Sequence, residues 1–468
     1  MSNKSRMKNK DRINTKVSPM PPEVKKQFLP YTVVKLVTGA QIIPNFQMKK
    51  DIVAIHWNNE AEFIHQEDYE LAKKVADEIW EQTVKAKNLF PSLSTIPIGI
   101  MIHRTAAEKI KTLVDGGPAA GKKKVMFIKD TSGCGYWRMT VPSRYINLDK
   151  YYWDMCEAEV TYEYLLEYEV IVVQRLHQWR EFYTIERLKR MGRKIIYDID
   201  DDIFNIPSHN PASRLIRNDE CEAARCIMRL ADKITVTTEI LKNKLGFPEK
   251  TVIIPNAIDL DDGYPTGWQG SPDEFKRIVW MGSATHHEDW TECFDAVDEL
   301  FRQRKDVRLL IMGMLPNVVR KNVEDATKPY WDNRVEFMDF KDVETYVSLT
   351  KNFKADIAIA PLQSTPFNSC KSAIKWQEYT AAGLPTIASD CSPYKEAITN
   401  GIDGFLVNGK DAWLAAMKML LDDKELCKIT VENARRTINE KLDVKKVVEL
   451  WEKTLFEPQL QVIQGGAS

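Results

Sequence analysis

The sequence has no excess of charge of either sign: 66 Lys and Arg stand against 67 Asp and Glu, a formal net charge of −1. A chain so balanced carries no global field that draws in nucleic acid, so any contact with a polyanion must be local. No apolar run approaches the ~20 uninterrupted residues that a membrane helix requires. A secretory leader is not expected either, because residues 7–26 supply Lys, Asn, Asp and Pro where an apolar segment belongs. Cysteine is sparse and scattered, with eight thiols and no C-x-x-C pair. That pattern speaks against a disulfide framework or a zinc site and for reduced thiols, so a cytoplasmic protein is expected.

What is present is enough for several cores. With 468 residues, 44% hydrophobic and 28% charged, the chain is expected to form two or three soluble domains. Residues 1–26 hold eight Lys and Arg against Asp11 and Glu23 and read as a solvated, disordered basic arm. Residues 27–121 read as a small α+β accessory unit, with β-rich runs at "YTVVKLVTGAQIIPNF" and "DIVAIHW" and a helical stretch at residues 67–87. The segment "GGPAAGKKK" has the G-x-x-x-x-G-K spacing of a phosphate loop at Gly116, Gly121 and Lys122. Lys123 stands where a magnesium-binding Ser or Thr is needed, however, and a strand follows, so the stretch reads as a linker.

From residue 122 the texture changes to short continuous apolar runs alternating with amphipathic ones. "KVMFIKD", "EVIVVQRL", "KIIYDID", "KITVTT" and "TVIIPN" are read as buried parallel strands of one doubly wound domain, residues 122–262. After a Pro, Gly and Asp-rich passage, "RIVWMGS", "VRLLIMGM", "RVEFMDF", "ADIAIAPL" and "LPTIASD" repeat the pattern over residues 274–442. Two such Rossmann-like domains face a cleft with ligands at the carboxyl ends of their strands. A hinge is expected at residues 260–275, and a C-terminal helix at 443–457 is expected to return to the first domain.

The richest stretch is "FNSCKSAIKWQEYTAAGLPTIASD". A helix is expected to start near Ser372, and its free backbone N–H groups, with Lys371 and Lys375 beside them, form a ready site for a diphosphate. Glu378, further along, is spaced to reach the ribose diol of the same ligand. In the first domain "IKDTSGCGYWRM" follows the opening strand. There Gly133 and Gly135 allow close backbone approach to a ligand, and Arg138 is able to bind an anion. "VVQRLHQW" brings Gln174, Arg175 and His177 to the same rim. The adjacent His286 and His287 diverge by about 100 degrees on a helix and are not read as a metal pair.

Together these motifs resemble the donor half of GT-B glycosyltransferases, specifically the large retaining family 4 (glycosyl transferases group 1), in a divergent variant. The resemblance spans about residues 124–456. It rests on the E-x(7)-E region, the "GLPTIASD" turn and strand, "NGIDGFLV" downstream, and "VIIPNAIDL", where Asn256 and Asp259 carry the match. It implies that Glu378 binds the nucleotide ribose and that the backbone at Ser372, Ala373 and Ile374 lies by the sugar and phosphate. It also implies that Lys371 or Lys375 supplies positive charge to the diphosphate, that Gly282 and Ser283 keep a tight turn by the donor, and that the Gly-rich loop lies over the diphosphate. Two departures stand out. Cys370 replaces the first Glu, and "GSATHHEDW" lacks the family's phosphate-clamping Arg.

The cluster "YDIDDDIF" invites a metal or phosphatase reading, but its strand context fits neither. Because alternate residues of a strand share a face, Asp198 and Asp200 are expected to point together toward the donor sugar, where the family's strand ends in a polar residue. A carboxylate there stabilises an oxocarbenium-like transition state or accepts the acceptor's proton. Asp201 and Asp202 are expected to cap the next turn. The resemblance implies a retaining glycosyltransferase that uses a nucleotide-diphosphate sugar, UDP- or GDP-linked, with no cofactor and no metal required. The acceptor hydroxyl is left open among glycans, lipid-linked precursors, proteins and the hydroxylated bases of viral DNA, the last placing the enzyme in a host cytoplasm. A non-catalytic scaffold on the same frame is the other reading, favoured by Cys370 and the missing Arg.

Overall fold

The computed structural model describes residues 122–130, 133–156, 162–339 and 342–456, together with short strands within the first 121 residues. Those strands are β1 (Thr32–Leu36), β2 (Gly39–Ile43), β3 (Ile55–Trp57), β4 (Glu60–Glu62) and β5 (Ile100–Met101). β2 pairs antiparallel with β1 and β5, and β3 pairs with β4. The basic arm, the helical stretch at 67–87 and the Gly116–Gly121 loop lie outside the described residues.

From Lys122 onward the chain forms one compact unit built on two parallel six-stranded sheets. The first contains β6 (Lys123–Ile128), β7 (Tyr151–Cys156), β8 (Val170–Gln174), β9 (Lys194–Asp198), β10 (Lys233–Val236) and β11 (Thr251–Ile253). Their spatial order is β11-β10-β9-β8-β6-β7. β8 and β9 are buried along their whole length, which is why their apolar runs do not alternate: helices cover both faces. β7 is the strand that the sequence reading does not mark. As an edge strand it keeps several residues half-buried, so it lacks a continuous apolar signature.

The second sheet contains β12 (Lys276–Gly282), β13 (Val307–Gly313), β14 (Val335–Met338), β15 (Ile357–Ala360), β16 (Thr386–Ser389) and β17 (Phe405–Val407), in the order β14-β13-β12-β15-β16-β17. Each sheet reverses its winding once, between β6 and β8 in the first and between β12 and β15 in the second. Crevices at the carboxyl ends of such strand pairs are where doubly wound folds bind ligands. The architecture is therefore α/β, two doubly wound Rossmann-like domains in series.

The chain passes between the domains twice. Residues 254–275 make the first passage, and most of this linker is anchored. Ile254, Ala257, Ile258, Leu260 and Tyr264 are buried, the Trp268 indole donates to the Asp356 carbonyl at 2.8 Å, and Ser271 is hydrogen-bonded to the Asp356 carboxylate. Asp262 joins the two sides, 3.0 Å from Arg144 of the first domain and 2.9 Å from Lys351 of the second. The second passage leads into the helix Val444–Phe456, which packs on the first sheet. Trp451 is buried against Phe127 with ring centroids 6.2 Å apart, Phe456 stacks on Tyr151 at 3.5 Å, and the Lys194 ammonium caps the helix end at the Thr454 and Leu455 carbonyls.

Candidate active site between the two sheets

In the first domain the strand β9 ends at Asp198, and the alternation of faces runs on to Ile199, which joins Ile195 and Tyr197 in one apolar cluster. Asp198 keeps the face of Ile196, beneath the helical segment Gly133–Gly135, Tyr136–Thr140 and Val141–Ser143. Its side chain is fully buried. It accepts the Arg138 guanidinium at 2.5 Å and the Thr235 hydroxyl at 2.6 Å, and Arg138 also donates to the Ile254 carbonyl and lies 5.5 Å from the Trp451 ring. The expectation that Asp198 faces the donor sugar and that Arg138 binds an anion is corrected here. Each neutralises the other inside the core, because a charge without water needs a partner.

The two glycines expected to let backbone approach the donor stand in different settings. Gly133 and Gly135 belong to the start of that helical segment, and Gly135 is buried against the Asp130 carbonyl, which a Cβ would meet at 2.0 Å. Gly135 is required by close backbone packing. Gly133 is exposed, with open space where a Cβ would stand.

Past the strand end, Asp200 and Asp201 turn to a residue whose central role the sequence reading misses. Arg175 sits at the carboxyl end of β8, at the winding reversal, in a left-handed conformation (φ 53°) that a non-glycine residue adopts at a cost. Its guanidinium lies 2.6 Å from Asp200, 3.2 Å from Asp201 and 3.8 Å from Asp130. Burial opposes the charge, but the three carboxylates outweigh it and hold its pKa well above the ordinary value. The only hint in the sequence is position, directly after a buried strand and before a helix start. His177 serves that start: its Nδ1 is 2.8 Å from the Arg175 carbonyl, while the His177 and Gln178 amides donate to Glu181.

Of the two aspartates expected to cap, only Asp202 does so, accepting from the Phe204 amide and the Asn205 side chain. Asp201 instead reaches across to the second domain, 3.4 Å from the Lys371 ammonium.

In the second domain β15 runs into a loop, a 3-10 turn at Asn368–Cys370, and the helix Ile374–Ala381. The helix begins two residues later than expected from sequence, with Ala373 at its N-cap position. Lys371 and Lys375 flank this start. Ser372 accepts a hydrogen bond from the Asn256 amide at 2.9 Å, linking the phosphate-type loop to the interdomain passage. Ala373 is buried and Ile374 packs on the core, so at these two positions only the backbone is available to a ligand. Glu378 is 4% exposed, its two oxygens meeting the Tyr346 hydroxyl at 2.9 Å and the Lys375 ammonium at 3.0 Å. Burial and the neighbouring carboxylate hold the Tyr346 phenol well above its ordinary pKa, so it remains a proton donor to Glu378.

Gly282 and Ser283 close β12 on the other side of the crevice. Gly282 leaves room for the Trp280 ring, 2.5 Å from where a Cβ would be, and Ser283 is hydrogen-bonded to Thr285. His286 follows, 2.9 Å from Asp289. Burial, reinforced by Lys371 and Lys375, keeps its pKa below the ordinary histidine value despite Asp289. Asp289, which sequence reasoning also missed, is a buried anchor for the Gln363 amide and the Asn368 side chain. A narrow crevice continues outward between His209 and Asn210 of the first domain and Thr285, Glu288 and Thr365 of the second. Among the described residues no group of three or more His, Cys, Asp and Glu side chains is arranged to hold a metal ion, and no helix is long and apolar enough to cross a membrane.

Residues 268–437 match the family model for glycosyl transferases group 1. No curated protein matches the chain by sequence. Among solved structures, Anabaena HepE in complex with UDP-glucose is similar with a TM-score of 0.53 at 15% identity, covering 71% of this chain and 99% of that one. The sucrose-phosphate synthase of Thermosynechococcus elongatus gives 0.51 at 14% identity, covering 71% and 98%. A glycosyltransferase from Rickettsia africae gives 0.50 at 15% identity, covering 72% and 100%. The two doubly wound parallel sheets and these likenesses agree: residues 268–437 match the glycosyl transferases group 1 model, and the chain from Lys122 onward has the GT-B fold.

Proposed function

We propose that the protein transfers a sugar, with retention of anomeric configuration, from a nucleotide-diphosphate donor to a hydroxyl acceptor. The observation that carries this reading is the convergence of Lys371, Lys375 and Glu378 on one helix start at the winding reversal of the second sheet. Two ammonium groups and unpaired backbone N–H groups suit a diphosphate, and a buried carboxylate suits a ribose diol. A structure of HepE with UDP-glucose shows that a fold of this kind holds such a donor.

In the reaction, the bond between the anomeric carbon and the diphosphate oxygen breaks, and a bond from that carbon to the acceptor oxygen forms on the same face. The charge that develops on the leaving diphosphate is met by Lys371, Lys375 and the helix start, so the chemistry does not require a metal or another cofactor. The acceptor's proton passes to a carboxylate at the end of the first sheet or to the departing phosphate. Asp200 and Asp201 are the first-domain carboxylates at that place, and Asp201 lies nearer the donor side. His286, held neutral, adds hydrogen bonding without extra charge.

The test is a survey of UDP- and GDP-linked hexoses and pentoses with pooled glycan, lipid-linked, protein and hydroxymethylated-DNA acceptors. Release of nucleoside diphosphate that depends on Glu378 and Lys371, with an α-linked product from an α-linked donor by NMR, is the expected result. No turnover with any donor, hydrolysis included, would favour a binding scaffold.

A further inference from the structure

Both lysines proposed to face the diphosphate already hold carboxylates, and the two carboxylates are different. Lys375 lies 3.0 Å from Glu378 on its own helix, and Lys371 lies 3.4 Å from Asp201 on the opposite domain. Glu378 is 4% exposed, with one oxygen taken by Tyr346 and the other by Lys375. An incoming diol reaches that carboxylate freely only when Lys375 swings off it. A nucleoside alone gives the displaced ammonium nothing in return, whereas a diphosphate supplies a new anion within the same ligand. The same exchange applies at Lys371, whose departure leaves Asp201 to Arg175, 3.2 Å away.

We infer that Glu378 and Asp201 act as internal stand-ins for the donor's phosphates, so that recognition of the ribose is conditional on recognition of the diphosphate. Asp201 is thereby a specificity-determining residue that selects ligands by their phosphate length. Lys375 couples two parts of the site that would otherwise bind independently. This inference rests on the proposed donor site and adds a rule to it: affinity rises steeply from nucleoside to nucleoside diphosphate, and the steepness resides in two ion-pair exchanges. The pairs differ in setting, since Glu378 is the more enclosed carboxylate and the Lys371–Asp201 pair spans the cleft. Loss of the first should chiefly raise nucleoside affinity; loss of the second should chiefly raise diphosphate affinity.

The experiment is calorimetric titration of the full chain with uridine, UMP and UDP, and with guanosine, GMP and GDP. Wild type and the variants Lys375→Met and Asp201→Asn are compared, with thermal unfolding as a check on folding. The wild type is expected to prefer the diphosphate of its cognate base over the nucleoside by more than about 100-fold. Lys375→Met is expected to narrow that preference by about tenfold, chiefly by raising nucleoside affinity, with diphosphate affinity falling by less. Asp201→Asn is expected to strengthen diphosphate binding about threefold while leaving nucleoside binding unchanged. The second variant keeps the inference testable if burial of an unpaired Glu378 destabilises the first. Diphosphate binding to wild type with ratios unmoved by either variant overturns the exchange and leaves the donor site standing. Weaker diphosphate binding in Asp201→Asn also overturns it. Absence of binding of either nucleoside diphosphate to wild type overturns the donor site and this inference together.

Discussion

Replacing Asp198 with Asn separates a structural carboxylate from a catalytic one. Both side chains of the Arg138–Asp198 pair are fully removed from solvent, and three other groups depend on their arrangement: the Thr235 hydroxyl, the Ile254 carbonyl and the Trp451 ring. An Asn of the same shape retains an acceptor but strands the guanidinium without a counter-charge. Removing one partner of such a pair costs about 3–5 kcal/mol, far more than losing the pair together. For a unit of this size that corresponds to a fall in apparent Tm of roughly 4–7 °C. Differential scanning fluorimetry reads the shift. The double replacement Arg138→Met with Asp198→Leu should recover more than half of it, because apolar side chains of similar volume need no counter-charge. Activity in Asp198→Asn, normalised to folded protein, should stay within about threefold of wild type, as for a group that touches no substrate. An unchanged Tm with turnover lost by orders of magnitude would refute this reasoning and return Asp198 to the chemistry.

Gly135→Ala should destabilise by about 2 kcal/mol or more, because a Cβ there stands 2.0 Å from the Asp130 carbonyl and the backbone must yield; chemical denaturation measures it. Tyr346→Phe should raise the donor KM about fivefold with little change in kcat, since it removes a buried hydrogen bond that orients Glu378; steady-state kinetics over donor concentration checks the split. His286 has a folded pKa below the histidine value, so the unfolded chain takes up the proton first. Its contribution to stability is therefore complete above about pH 6.5 and declines as pH falls from there toward the lower folded value. A Tm profile between pH 7.5 and 5 should fall less steeply in His286→Asn than in wild type.

The two-sheet architecture is legible in the sequence because buried parallel strands leave continuous apolar runs, and ten of the twelve strands from Lys122 onward fall within the quoted ones. β7 escapes because an edge strand with half-buried aromatics has no such run, and β17 lies in a stretch noted for its motif alone. In the second domain the positions of Lys371, Lys375 and Glu378 follow from a helix start after a strand. Their mutual engagement does not, because rotamers at 3 Å are invisible to spacing. The first domain misleads for a definite reason. Alternation predicts a common face for Asp198 and Asp200 but not what occupies that face, and Arg138 holds the first while Arg175 holds the second. The partner that settles each aspartate lies far along the chain, Arg138 for one, Arg175 and Lys371 for the others. A composition-based reading of charged clusters has no access to that pairing.

The placement of the last helix bears on how the protein is made. All six strands of the first sheet have been synthesised once residue 253 is added, yet Trp451 and Phe456, which close its face at Phe127 and Tyr151, lie some two hundred residues later. At translation rates of about 5–20 residues per second the sheet waits roughly 10–40 s for its final layer. During that interval an apolar strip and the lysine that will cap the helix remain open at the ribosome. Chaperone dependence and sensitivity to premature termination should therefore concentrate at the beginning of the fold, although the missing piece belongs to its end.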